Sequence, residues 1–263
     1  MLRILLVSVP VFVFCAGFLP SSSEFVGVSD SSCPKVYMGR PGTYSPPALT
    51  WAVGEEPSGF EPELVDILSE KLGCTLERVG ADIEGNPASL RFSLLEDGRA
   101  DLSVASITMT PQRNERVEFT TPYTKDGIAL MVSASHQAKV LSDLKGEVQI
   151  VAPPNTTAQP WVIQSLPEAT LIQNLLDWDD IIKCIVKGPC DALAADSSAL
   201  YRVAAQNEGL RVLTDSPYTH DHWAIATAKG NMALTVRLSE ALAMAEADGS
   251  LPDLRIKWSM PAP

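Results

Sequence analysis

The sequence predicts an α/β protein built from two similar units. Short apolar runs of strand length alternate with stretches whose apolar residues recur at helical spacing. The order strand, helix, strand, helix, strand fills the chain from Lys35 to about Val132 and then starts again. That is the pattern of parallel sheets covered by helices. At 263 residues and 46% apolar content, the chain can bury one large core or two modest ones.

Charge excludes one class of partner. With 20 basic against 32 acidic residues the net charge is −12. Nucleic acid is therefore not expected as a partner, because phosphate binding needs clustered Lys and Arg. The N-terminus reads as an address. Met1-Leu2-Arg3 leads into an apolar run, Ile4 to Leu19, then Pro20 and three serines. A basic start, an apolar core and a small-residue exit describe a secretory signal peptide over 1–23, cleaved near residue 23. The alternative, an uncleaved anchor, is disfavoured by the short run and Pro10. Phe14 before Cys15 is too bulky for a lipoprotein site. Residues 24–32 read as a flexible leader. The mature protein is then expected to be periplasmic or secreted, and a monomer.

Export bears on the cysteines. Without Cys15 four remain: Cys33, Cys74, Cys184 and Cys190. An even count in an exported protein suggests disulfides. Cys33 and Cys74 each precede a predicted strand, and parallel neighbours would bring both to one sheet edge. Cys184 and Cys190 span a helix end and the start of a strand. The expected pairs are Cys33–Cys74 and Cys184–Cys190; the alternative is four free buried thiols. No C-x-x-C spacing occurs, so metal ligation by these cysteines is not expected; no nucleophile elbow, P-loop or dinucleotide fingerprint is present, and no cofactor is expected.

The elements follow in order. Lys35 to Gly39 is a short strand, and Pro41 to Pro47 a loop carrying Tyr44. Leu49 to Val53 is extended. In GFEPELVDILSEKLGC, Pro62 suits a first helical turn, Glu61 and Glu63 favour its positive end, and Leu64, Ile67, Leu68 and Leu72 form one apolar face. Gly73 ends it. Thr75 to Val79 is a strand and Ala88 to Leu95 a short amphipathic helix. After Val132 come a small helix (Leu141–Lys145), a strand (Val148–Ala152), a polar turn (Pro153 to Thr157) and a helix (Ala158–Leu166). Then follow a strand (Ala169–Gln173), a helix (Asp177–Lys187), a strand (Asp191–Ala195), a helix (Ser197–Gln206) and a strand (Leu210–Leu213). The chain closes with a strand (Trp223–Ala228), a long helix (Met232–Asp248) and a short helix near Leu254–Trp258.

The stretch with most chemistry is Asp97 to Val132, DGRADLSVASITMTPQRNERVEFTTPYTKDGIALMV. After a turn and an apolar strand it delivers Ser106, Thr108, Thr110 and Arg113. Ligands of open α/β sheets sit at the carboxyl ends of strands. A guanidinium there matches a carboxylate with a rigid fork of donors. Arg113 could equally form a surface ion pair with Glu115 or Glu118.

This stretch resembles the family 3 extracellular (periplasmic) solute-binding proteins of the amino-acid-binding type, whose fold also forms the ligand-binding core of ionotropic glutamate receptors. GFEPELVDIL, SDLKGEVQIV with NTT after it, CDALAADSSAL and GSLPDLRIKW extend the resemblance over roughly Lys35 to Trp258. It implies a type II periplasmic-binding-protein-like fold, two α/β lobes joined by a two-stranded hinge. Lobe 1 would be 33–126 and 220–263, and lobe 2 would be 127–219. It implies a small amino-acid ligand between closing lobes, no enzymatic activity, and a membrane permease of ABC type, or a receptor, as partner. Position by position, Arg113 resembles the arginine that grips the ligand carboxylate. Ser106 and Thr108 resemble the loop positions for the α-amino and carboxylate groups, Thr156 a second carboxylate contact, Asp196 the partner of the α-ammonium, and Tyr44 a stacking aromatic. Read without the resemblance, Asp196 could be the N-cap of the helix beginning at Ser197.

The departures carry information. Arg40 stands where relatives that bind basic amino acids have an acid, so neutral or acidic ligands are expected. Pro62 replaces a small apolar residue, and Pro-Pro-Asn-Thr-Thr replaces a Gly-Thr-Thr turn. No aromatic residue lies near Asn86–Ala88. His220-Asp221-His222 places two imidazoles on one strand face, and His136 stands alone; neither supplies a third metal ligand. A dehydratase branch of the same fold, or a sensory module, is the alternative reading.

Overall fold

The computed structural model describes residues 33–80, 82–175 and 177–263; the expected signal peptide and leader lie outside the described residues. The chain opens with β1 (Lys35–Tyr37), a hairpin of β2 (Thr43–Ser45) and β3 (Leu49–Trp51), α1 (Phe60–Leu72), β4 (Glu77–Val79), α2 (Pro87–Glu96) and β5 (Leu102–Ser103). A four-residue helix, α3 (Pro111–Asn114), precedes the long β6 (Val117–Asp126), which passes through Gly127 into β7 (Ile128–Ser133). After a 3-10 turn at Leu141–Asp143 come β8 (Gln149–Val151), α4 (Ala158–Ser165), β9 (Thr170–Ile172), α5 (Trp178–Lys187) and β10 (Ala192–Asp196). The chain ends with α6 (Ser197–Gln206), β11 (Leu210–Val212), β12 (Asp221–Ala228), α7 (Met232–Ala247) and α8 (Ser250–Trp258).

Two five-stranded sheets result, ordered β4-β1-β5-β12-β6 and β11-β7-β10-β8-β9. In the first, β1 runs parallel to β4 and β5, and β12 runs antiparallel to β5 and β6. In the second, β8 is parallel to β9 and β10, while β7 is antiparallel to β10 and β11. The chain passes between sheets at Gly127 and returns along 213–220 into β12.

Packing follows pattern. In α1, Leu64 and Leu68 are fully buried against Leu238, Leu242 and Leu254 of α7 and α8. Each such side chain contributes about 1.5–3 kcal/mol. Gly73 closes α1 in a left-handed turn, φ 69°, which glycine adopts without steric cost. In β7 successive residues serve opposite faces: Ile128, Leu130 and Val132 enter one core, Ala129 and Met131 the other. Both faces are helix-covered, so the strand reads as a continuous apolar run.

The structure departs from expectation at several places. The loop at 41–47 contains β2, and Arg113 stands on the short helix α3. Cys184 and Cys190 are bonded, with Cα atoms 5.2 Å apart, tying the end of α5 to the start of β10. The expected Cys33–Cys74 bond is not formed; both are free. Parallel pairing of β1 with β4 does bring them together, and burial and hydrogen bonding to Cys33 raise the Cys74 thiol pKa.

The crossing at Gly127 is tight. A Cβ there would collide with the Thr219 carbonyl of the returning segment and lie 2.8 Å from the Pro217 Cβ. Gly127→Ala is expected to cost about 1–3 kcal/mol by overpacking, read as a lower urea midpoint. An unchanged midpoint would show that the two crossings can move apart freely.

Candidate functional site

A cleft of about 620 Å³ lies between the two sheets' lobes. Its first-lobe wall includes Tyr37, Tyr44, Glu61, Arg91 and Ser106; the facing wall includes Thr156, Trp178 and Asp196. Four of the six residues singled out in the sequence thus share one cavity. Thr108 and Arg113 stand outside its lining.

Tyr44, on β2, sits at the rim. Its hydroxyl donates to Gln206 Oε1 at 2.8 Å, and its carbonyl accepts from Trp178 Nε1 at 2.7 Å. The two rings meet edge to face, centroids 5.9 Å apart. Ser106 has φ 50°, and its N–H and hydroxyl donate to Glu61 Oε1 at 2.6 and 3.2 Å. Tyr123 OH donates to that oxygen at 2.7 Å. Glu61 Oε2 has no partner among the described residues. Burial raises the Glu61 pKa, and the Tyr123 and Ser106 hydrogen bonds offset only part of this.

Thr110 caps α3, accepting from the Arg113 N–H at 3.2 Å. The Arg113 guanidinium donates Nη1 to the Thr108 carbonyl at 2.8 Å and lies over the Phe92 ring, 5.5 Å from its centroid. Burial, then the neighbouring Arg91, lower its pKa to about 9. Among the described residues no ion pair joins it to Glu115 or Glu118; Glu118 pairs with Lys229 at 3.1 Å. In the second lobe, Thr156 Oγ1 donates to the Pro153 carbonyl at 2.7 Å, just before α4. The N-cap of α4, Thr157, makes no side-chain cap bond, so the Ala158 and Gln159 N–H groups are available to an anion, while Pro160 has none to offer.

Asp196 ends β10 and precedes α6, yet its carboxylate makes no capping bond. Asp126 does that work. It accepts from Ser197 Oγ at 2.5 Å, Ser198 N at 3.2 Å and Ser198 Oγ at 2.5 Å. Asp196 is left facing the cleft. Burial first, then the charge of Asp126, raise its pKa to about 8.

Sequence reasoning missed Arg91. It lies on α2 and is 8% exposed. Nε donates to Ala88 O at 3.1 Å, Nη1 to Ala105 O at 3.1 Å and Ser106 O at 3.3 Å, and Nη2 to Asn155 O at 3.1 Å. The signal was present: Arg91 sits among Leu90, Phe92, Leu94 and Leu95, a charge inside an apolar run. Trp178 was also missed. The His220–His222 pair gains no third ligand, for no group of three or more His, Cys, Asp or Glu among the described residues could hold a metal.

The sequence profile of the bacterial extracellular solute-binding proteins, family 3, matches residues 36–261. The chain belongs to that family. A glutamine-binding protein of an ABC transporter, GlnH of Bacillus subtilis (strain 168), is 27% identical over 168 residues, 64% of this chain and 61% of that protein. The chain's match thus spans less than two thirds of that relative's length. The L-cystine-binding protein TcyJ of Escherichia coli (strain K12) is 26% identical over 84% of this chain and 81% of its own. Among solved structures, an ancestral arginine-binding protein bound to glutamine superposes with a TM-score of 0.72 at 23% identity, covering 86% of this chain and 97% of that one. That similarity shows the two-lobed type II fold.

Titration of Asp196 has a definite sign. An unfolded Asp releases its proton near ~3.9, whereas folded Asp196 holds it to about 8. Between these values the folded state binds more protons, so this group's stabilising share is full at the acidic end and lost as pH rises towards 8. Asp126, Asp221 and Glu61 are raised in the same direction. Asp196→Asn should therefore lose stability less steeply than wild type between pH 5 and 8, by up to about 1.4 kcal/mol per pH unit. Parallel melting curves for the two proteins would show Asp196 ionised throughout.

Proposed function

We propose that this chain is an exported binding protein. It captures a small carboxylate-bearing solute, an amino acid or close chemical kin, and presents it to an ABC-type membrane permease. Lobe 1 comprises 33–126 and 220–263, lobe 2 comprises 127–219, and the solute is held between them without being turned over. The observation that carries this reading is the pair of buried guanidinium groups, Arg91 and Arg113, beside a cleft shared by two lobes. A low-dielectric wall bearing Arg91, with the Arg113 charge close by, favours an anion. The uncapped start of α4 next to Thr156 offers N–H donors from the other lobe. Neither lobe alone completes that set, so a ligand stabilises closure by differential contact. The two guanidiniums favour acidic or neutral solutes over basic ones. The named relatives, for glutamine, cystine and arginine, support a ligand of amino-acid size.

Thermal-shift screening of amino acids and related carboxylates tests this. A solute that binds only the folded chain raises its Tm, by about 2.7 kcal/mol of stability at 100 times Kd. Arg113→Ala is expected to keep the fold and lose the shift. A full shift surviving in the variant would remove Arg113 from the carboxylate site.

A further inference from the structure

At one end of the cleft, acceptors from both lobes converge. The carbonyls of Ala88, Ala105 and Ser106 belong to the first lobe and that of Asn155 to the second, with the Asp196 carboxyl close by. Carbonyl and carboxylate oxygens gathered in this way recognise a cation. An α-ammonium, with three N–H donors, is what such a seat would take from a zwitterionic ligand. Here the seat is filled from within, because Arg91 donates to all four carbonyls.

We propose that Arg91 stands in for the ligand's α-ammonium, and that the cleft selects small carboxylates lacking an α-amino group: 2-oxo, 2-hydroxy or plain carboxylic acids. This rests on the carboxylate-binding reading above and narrows it. Three observations support it. First, Arg91 is fixed rather than wandering. Its guanidinium packs 5.3 Å from the Phe92 ring centroid, and its fourth acceptor comes from Asn155, whose φ of 63° and 2.9 Å bond from Nδ2 to Ser89 Oγ pin that turn to α2. Second, an incoming ammonium would compete for occupied acceptors at contact range of a guanidinium, a like-charge approach in a buried place. Third, the local charge balance already lacks an anion. Arg91 and Arg113 both lie over the Phe92 ring, 5.3 and 5.5 Å from its centroid, while the Glu61 carboxylate is already held by Ser106 and Tyr123 and burial pushes the Asp196 carboxyl up to about 8. The missing partner is a carboxylate that brings no cation with it.

Matched pairs differing only at the α-position decide the matter by calorimetry on the full mature chain, stripped of ligand and refolded. Suitable pairs are L-glutamate against 2-oxoglutarate, L-leucine against 4-methyl-2-oxopentanoate, and L-phenylalanine against 3-phenylpropanoate. Wild type is expected to bind the amine-free member of at least one pair tenfold or more tightly. Arg91→Met, which empties the seat while keeping an unbranched apolar stem, is expected to shift preference towards the amino acid by a similar factor. If wild type binds the amino acids as tightly as, or more tightly than, their amine-free partners, the inference is overturned while the carboxylate site stands. If no member of any pair binds, the carboxylate-binding reading falls and this inference with it. The wild-type comparison decides even if Arg91→Met fails to fold.

Discussion

The carboxylate of Asp126 is the fixed point of the molecule. It stands at the last position of β6, opposite Asp221 of β12, where both crossings between lobes run side by side. It accepts the Gly127 N–H at 2.7 Å and both serines that open α6. One group therefore ties the outgoing strand of the first lobe to the first turn of a second-lobe helix. Its pKa is raised mainly by burial, with those hydrogen bonds pulling the other way. A buried charge of this kind is tolerable only when its lone pairs are filled. The serines at 197 and 198 fill them, and the capping task passes from Asp196 to Asp126.

That exchange shapes the cleft. An Asp directly before a helix would ordinarily bend back to its own N–H groups. Relieved of that, Asp196 joins Arg91 and Arg113 in one electrostatic neighbourhood, two cations set against clustered acids from β6, β10 and β12. The arrangement raises the acids' pKa values and lowers those of the arginines. Burial is the first cause on both sides, so desolvation dominates over pairing. The site is better described as a dry compartment with adjustable charge than as a set of ion pairs.

Much of the fold was readable because periodicity is a local property. Helices at 60–72, 178–187 and 197–206 announce themselves through apolar spacing and through Gly73, Asp177 and Gly188 at their ends. Lobes built of alternating strands and helices follow from the same pattern. What escaped depends on distance in sequence. Arg91 looked like one polar residue on a short helix, and only the arrival of Ser106 and Asn155 shows what it holds. Arg113 and Thr108 read as wall residues, yet neither lines the cleft, and the guanidinium donates to the Thr108 carbonyl. The Cys33 and Cys74 positions were inferred from strand adjacency, which gives proximity but not a bond. The β2 hairpin was hidden by the Pro and Gly residues that frame it.

The contacts that cross the cleft belong to the chain itself: Trp178 to Tyr44, Tyr44 to Gln206, Arg91 to Asn155, and Asn155 to Ser89. At about 0.5–1.5 kcal/mol each, they stabilise the closed arrangement whatever the cleft holds. Access to the cleft therefore requires bonds within the chain to break first, so the closed arrangement carries its own latch.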